Sequence, residues 1–82
     1  MTEKQNMEPI IFEVKGEYVE LNQLLKLAGL CNSGGQGKQI VAEGLVRVNG
    51  ETELRKTCKI RPGQEVEFND RLIRVVPSTE EV

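Results

Sequence analysis

The chain of 82 residues has no histidine and no tryptophan, one tyrosine, two phenylalanines and two cysteines. Without histidine, the side chain best suited to proton transfer near neutral pH is absent. Its two serines, Ser33 and Ser78, read as a helix cap and a tail residue, and no nucleophile has a visible base to activate it. The chain therefore reads as non-enzymatic. Structural zinc wants four Cys/His ligands at short paired spacings, which Cys31 and Cys58 do not supply, and no cofactor is implied. The two cysteines read as buried thiols of a cytoplasmic protein. No apolar run is long enough to cross a membrane, and Met1 to Asn6 lack the basic and then apolar regions of a secretory signal. Aromatic residues are as scarce as histidine. Phe12 and Phe68 read as core, so Tyr18 is left over and there is no row of exposed rings on which bases stack.

A domain of this size buries only about 60% of the surface that its unfolded chain exposes, so function belongs on the outside. The charge there is uneven. The formal net charge is −2, yet Arg47, Arg55, Lys56, Lys59 and Arg61 stand against only Glu51 and Glu53 between residues 44 and 61. Residues 1–20 have the opposite balance, with Glu3, Glu8, Glu13, Glu17 and Glu20 against Lys4 and Lys15. Such polarity orients a weakly acidic molecule towards a polyanion.

Ile10 to Val14 has the β-branched and aromatic character of a short strand. Leu21, Leu24, Leu25 and Ala28 recur at helical spacing, which predicts a helix over Glu20 to Ala28 that stops at Gly29. Ser33 and Gln36 form a capping box at the start of a second helix, whose buried side is Ile40 and Val41 and whose end is Gly44. Gly37, inside that helix, costs about 1 kcal/mol against alanine and so marks a close helix contact. Val46 and Val48 alternate with Arg47, and Asn49-Gly50 predicts a tight hairpin into Thr52 to Leu54. A basic loop follows, then a type II turn at Arg61-Pro62-Gly63-Gln64. Val66 and Phe68 alternate with Glu65 and Glu67, and Asn69-Asp70 turns the chain into Leu72 to Val76. The order predicts an α+β domain over residues 9–77, two packed helices on a small, mostly antiparallel sheet, with flexible ends at 1–8 and 78–82.

Gly34-Gly35-Gln36-Gly37-Lys38 is neither of the glycine-rich nucleotide motifs. A P-loop needs glycine at Asn32 and Ser or Thr at Gln39, and the dinucleotide fingerprint needs glycine at Ile40. What remains is a capped helix start whose free N–H groups, with Lys38 nearby, suit one phosphate.

Leu21-x-x-Leu24-Leu25, Ser33, Ile40, Glu43-Gly44-x-Val46-x-Val48-Asn49-Gly50 and Arg61-Pro62-Gly63-Gln64-x-Val66 together resemble the RNA-binding domain first described in small-subunit ribosomal protein S-four. The resemblance covers residues 20–68 and is strongest to the small stand-alone bacterial members of the YbcJ type. It implies an S4-like fold of two helices on a short-stranded sheet, with RNA held by the helix pair and the adjacent loop. In the wider family arginine follows the serine; here Gly34 and Gly35 do, which leaves Lys38 to supply the charge. The expected site is Ser33, Gly34, Gly35, Lys38, Arg47, Arg55, Lys56, Lys59 and Arg61. The expected partner is structured or double-stranded RNA, such as ribosomal RNA, bound by a monomer through phosphates. The alternative is a protein adaptor that turns the basic loop towards an acidic partner.

Overall fold

The computed structural model describes residues 8–78. Of the expected flexible ends, only Glu8 and Ser78 fall within it; the rest lie outside the described residues.

Nine short elements follow one another: β1 Ile10–Val14, β2 Val19–Glu20, α1 Leu21–Leu27, α2 Gly34–Ala42, β3 Val46–Val48, β4 Glu51–Thr52, β5 Lys59–Ile60, β6 Glu65–Phe68 and β7 Arg71–Pro77. Five strands make one sheet in the order β1-β7-β6-β3-β4, and β2 and β5 form a separate antiparallel pair. All neighbours in the large sheet are antiparallel except β1, which runs parallel to β7 with Ile10 beside Ile73. The α+β class and the two-helix layer match expectation.

Strand alternation separates two faces of this sheet. Val14, Val46, Val66, Ile73 and Val75 point to the helices and form one buried cluster with Leu21, Leu24, Leu25, Val41 and Ile60. Each of these leucines is fully buried, and such burial contributes about 1.5–3 kcal/mol per side chain. Arg47, Glu65, Glu67 and Arg74 occupy the other face, where Arg47 meets Glu67 at 3.9 Å and Arg74 meets Glu65 at 3.1 Å.

Helix α1 ends as its glycine requires. Gly29 has φ +83°, and the N–H groups of Gly29 and Leu30 donate to the carbonyls of Lys26 and Leu25, the paired bonds of a Schellman stop. Asn49 and Gly50 both have positive φ, as do Asn69 and Asp70, so both hairpins turn on the tight mirror-image geometry that matches strand twist.

Four expectations need correction. The hairpin strand is Glu51–Thr52, so Glu53 and Leu54 already belong to the loop. The basic segment is not all loop, because Lys59–Ile60 pairs with Val19–Glu20. Gln36 closes its half of the capping box one residue early: Ser33 Oγ accepts from the Gln36 N–H at 3.1 Å, but Gln36 Oε1 accepts from the N–H of Asn32 at 2.7 Å. The cysteines are free and only half-buried.

Candidate nucleic-acid interface

The N-terminal turn of α1 joins the two segments singled out for anion binding. Its first N–H groups have no acceptors within the helix. The basic loop supplies them: the Leu21 N–H donates to the Cys58 carbonyl at 2.8 Å and the Asn22 N–H to the Lys56 carbonyl at 3.2 Å. On its other side the same turn touches the start of α2. Asn22 Nδ2 donates to the Gly34 carbonyl at 3.5 Å, and a β-carbon on Gly37 would stand 2.5 Å from the Asn22 carbonyl oxygen. Asn22 is 2% exposed, and its Oδ1 is buried without a partner. One helix turn thus clamps the basic loop and the second helix start together.

At that helix start, Ser33 satisfies the N–H groups of Gln36 and Gly37 through its hydroxyl and carbonyl. The N–H groups of Gly34 and Gly35 are left at the open end, where the helix dipole favours an anion. Lys38 is exposed one turn further along.

The cations of the loop are not equivalent. Arg55 is already committed, since its Nε and Nη2 grip the Glu53 carboxylate at 2.8 and 3.1 Å. These hydrogen bonds, side chain first and then backbone, pull the Glu53 pKa from 4.5 to about 2. Partial burial, reinforced by the Glu53 charge, pushes the Cys58 thiol up, so it stays protonated at neutral pH. Among the described residues, no ion pair takes up Lys38, Lys56, Lys59 or Arg61. Arg47 lies apart from this group, on the sheet face turned away from the helices beside Glu67.

Among the described residues, two hollows bear on the site. The larger, about 840 Å³, is lined by Arg47, Arg71, Glu67 and Asp70 with apolar neighbours, so its charges balance. The smaller, about 400 Å³, is lined by Arg55, Thr57, Cys58, Lys59 and Arg61, with no carboxylate in its wall. Size favours the first and chemistry the second; a polyanion responds to charge, so the second is the candidate site.

Tyr18 is the site residue that sequence reasoning passed over. It adjoins the β2–β5 pair, with Lys59 Nζ 5.0 Å and Arg61 Cζ 5.7 Å from its ring centroid. The available signal was weak. Tyr18 only precedes the two-residue strand Val19–Glu20, whose partner is hidden inside a run of charges.

The family model described as the S4 domain matches residues 12–76. The chain is 50% identical over 62 residues to "Putative RNA-binding protein YbcJ" of Escherichia coli (strain K12), which covers 76% of this chain and 89% of that protein. It is 40% identical over 52 residues to "Probable ribosome maturation protein RlbA" of Bacillus subtilis (strain 168), covering 63% and 73%. The solution structure of E. coli YbcJ, described as revealing an alfaL motif involved in RNA-binding, superposes with a TM-score of 0.67 at 43% identity, over 89% of this chain and 94% of that one. With a family model spanning most of its length and a half-identical relative of similar size, the chain belongs to the S4 domain family.

Proposed function

We propose that this protein is a non-enzymatic RNA-binding module that grips structured RNA through the face organised by the first turn of α1. The observation that carries this is the clamp itself, which sets the open N–H groups of Gly34 and Gly35 and the cations of Lys56, Lys59 and Arg61 on either side of Asn22. Lys38 extends the cationic surface along α2. The name of the half-identical relative and the motif described for its structure support RNA as the polyanion. The name of the Bacillus relative favours RNA of a maturing ribosomal particle.

The duplex backbone is the part of the RNA this surface suits, because cations and backbone N–H groups address phosphates and leave base sequence unread. Lys38, Lys56, Lys59 and Arg61 give four phosphate contacts and a log–log salt slope of roughly −2.8 to −3.6. Arg55, held by Glu53, adds less than a full contact, and Arg47 on the far face adds none. The test is binding of the protein to a structured RNA hairpin and a DNA hairpin of the same sequence over a salt series. Replacing Lys56, Lys59 and Arg61 together by alanine is expected to flatten the slope by about 2–2.7. Arg47→Ala is expected to leave it unchanged. A slope near zero in the unaltered protein would rule out this mode of binding, and an Arg47→Ala effect as large as that of the triple variant would move the site to the other sheet face.

A further inference from the structure

The β2–β5 pair has an inner and an outer side. Val19 and Ile60 are Cα partners and point inward, where Ile60 is fully buried and Val19 packs against the core. The alternation of strand side chains then turns Tyr18, Glu20, Lys59 and Arg61 outward together. Glu20 stands opposite Lys59, so the outer side is most cationic towards Arg61, the end at which Tyr18 sits.

Tyr18 is 38% exposed and lies outside the buried cluster. Lys59 and Arg61 stand over its ring and also line the basic hollow of about 400 Å³. That volume lies within the range of roughly 300–1,000 Å³ typical of small-ligand sites. Ring–cation contacts at an exposed position are weak enough to be exchanged for a stacked base. Arginine and lysine released from the ring remain within reach of the phosphates on either side of such a base.

We propose that Tyr18, Lys59 and Arg61 hold one unpaired nucleotide of the bound RNA, the base stacked on the tyrosine ring and the flanking phosphates on the two cations. This rests on the RNA-binding function proposed above and narrows its ligand to a paired region interrupted by a bulge or ending in an unpaired nucleotide. Unstacked bases of this kind are what proteins capture on aromatic rings and guanidinium planes. The single ring accounts for one base, not a strand.

The chain provides its own probe, because Tyr18 is its one tyrosine and there is no tryptophan. Intrinsic tyrosine fluorescence would be followed while the protein is titrated with a blunt, fully paired RNA duplex and with the same duplex carrying a two-adenosine bulge. Affinities would be measured in parallel by anisotropy of labelled RNA. The bulged RNA is expected to quench the tyrosine and to bind roughly tenfold tighter than the blunt one. Tyr18→Leu is expected to abolish that preference, so that the bulged and blunt RNAs bind alike, with the circular dichroism spectrum unchanged; Tyr18→Phe is expected to keep it. Equal binding of the two RNAs without quenching, unaltered by Tyr18→Leu, would overturn the nucleotide site and leave RNA binding in place. Failure to bind either RNA at low salt would overturn both.

Discussion

Replacing Gly37 by alanine tests the contact on which the whole interface is hung. Gly37 lies inside α2, where alanine is ordinarily preferred by about 1 kcal/mol. Here the new β-carbon would stand 2.5 Å from the Asn22 carbonyl oxygen and 3.2 Å from the Asn22 carbonyl carbon and Cα. Those are backbone atoms of the first turn of α1, whose neighbouring N–H groups are bonded to the basic loop, so no rotamer change relieves the clash. Overpacking of this kind costs about 1–3 kcal/mol, and a clash against backbone belongs near the top of that range. Subtracting the helix preference leaves a net loss of about 1–2 kcal/mol, or a fall in Tm of about 4–16 °C for a domain of this size. Gly35→Ala is the control. Its β-carbon would meet only Ser33 Oγ at 3.9 Å, an ordinary contact, so the helix preference stands alone and Tm should rise by a few degrees. Thermal unfolding followed by circular dichroism reads both. If Gly37→Ala proved as stable as Gly35→Ala, the close packing of α1 on α2 at Asn22 would be wrong, and with it the account of how the loop and the second helix start are brought together.

Two further outcomes concern the committed arginine. Glu53→Gln takes away the charge that occupies Arg55, so the salt slope of RNA binding should steepen by up to about 0.7–0.9, and an unchanged slope would show that the Glu53 grip does not limit Arg55 in binding. Glu53 itself should titrate near pH 2 in carboxyl NMR and return towards 4.5 in Arg55→Ala. Because its pKa is lowered on folding, its contribution to stability is complete above about 4.5 and fades as the pH falls towards 2. A Glu53 midpoint near 4.5 in the unaltered protein would mean that the Arg55 grip does not persist in solution.

What the sequence made legible and what it hid divide by the range of the interactions involved. Helix α1, the Ser33 cap and the Asn49-Gly50 hairpin each depend on residues within a few positions of one another, so periodicity and turn chemistry found them. Long-range pairing was not so readable. The two-residue strands β2 and β5 carry too little pattern to announce themselves, and Tyr18 acquires its setting only because Val19 lies beside Ile60. The parallel match of β1 to β7 is equally silent in a local reading.

The candidate site shows the same division. Counting charges located the basic segment, but a count gives every arginine equal weight. The structure distinguishes Arg55, gripped by a carboxylate two residues earlier, from Lys59 and Arg61, and moves Arg47 to another face. Arg47 could have been separated by alternation alone, since it points away from the valines that face the helices. The grip on Arg55 is not legible in the sequence, because a Glu-x-Arg spacing in a loop fixes no geometry.

The pairing of β1 with β7 also sets an order of events during synthesis. Ile10, Ile11 and Phe12 leave the ribosome early, yet the strand they join contains Ile73, Arg74 and Val75. With about 60 residues between partners and elongation at about 5–20 residues per second, that strand waits roughly 3–12 s for its neighbour in the sheet. The helices and the β3–β6 ladder are translated within that interval, so β7 seats β1 only after the elements between them have been made.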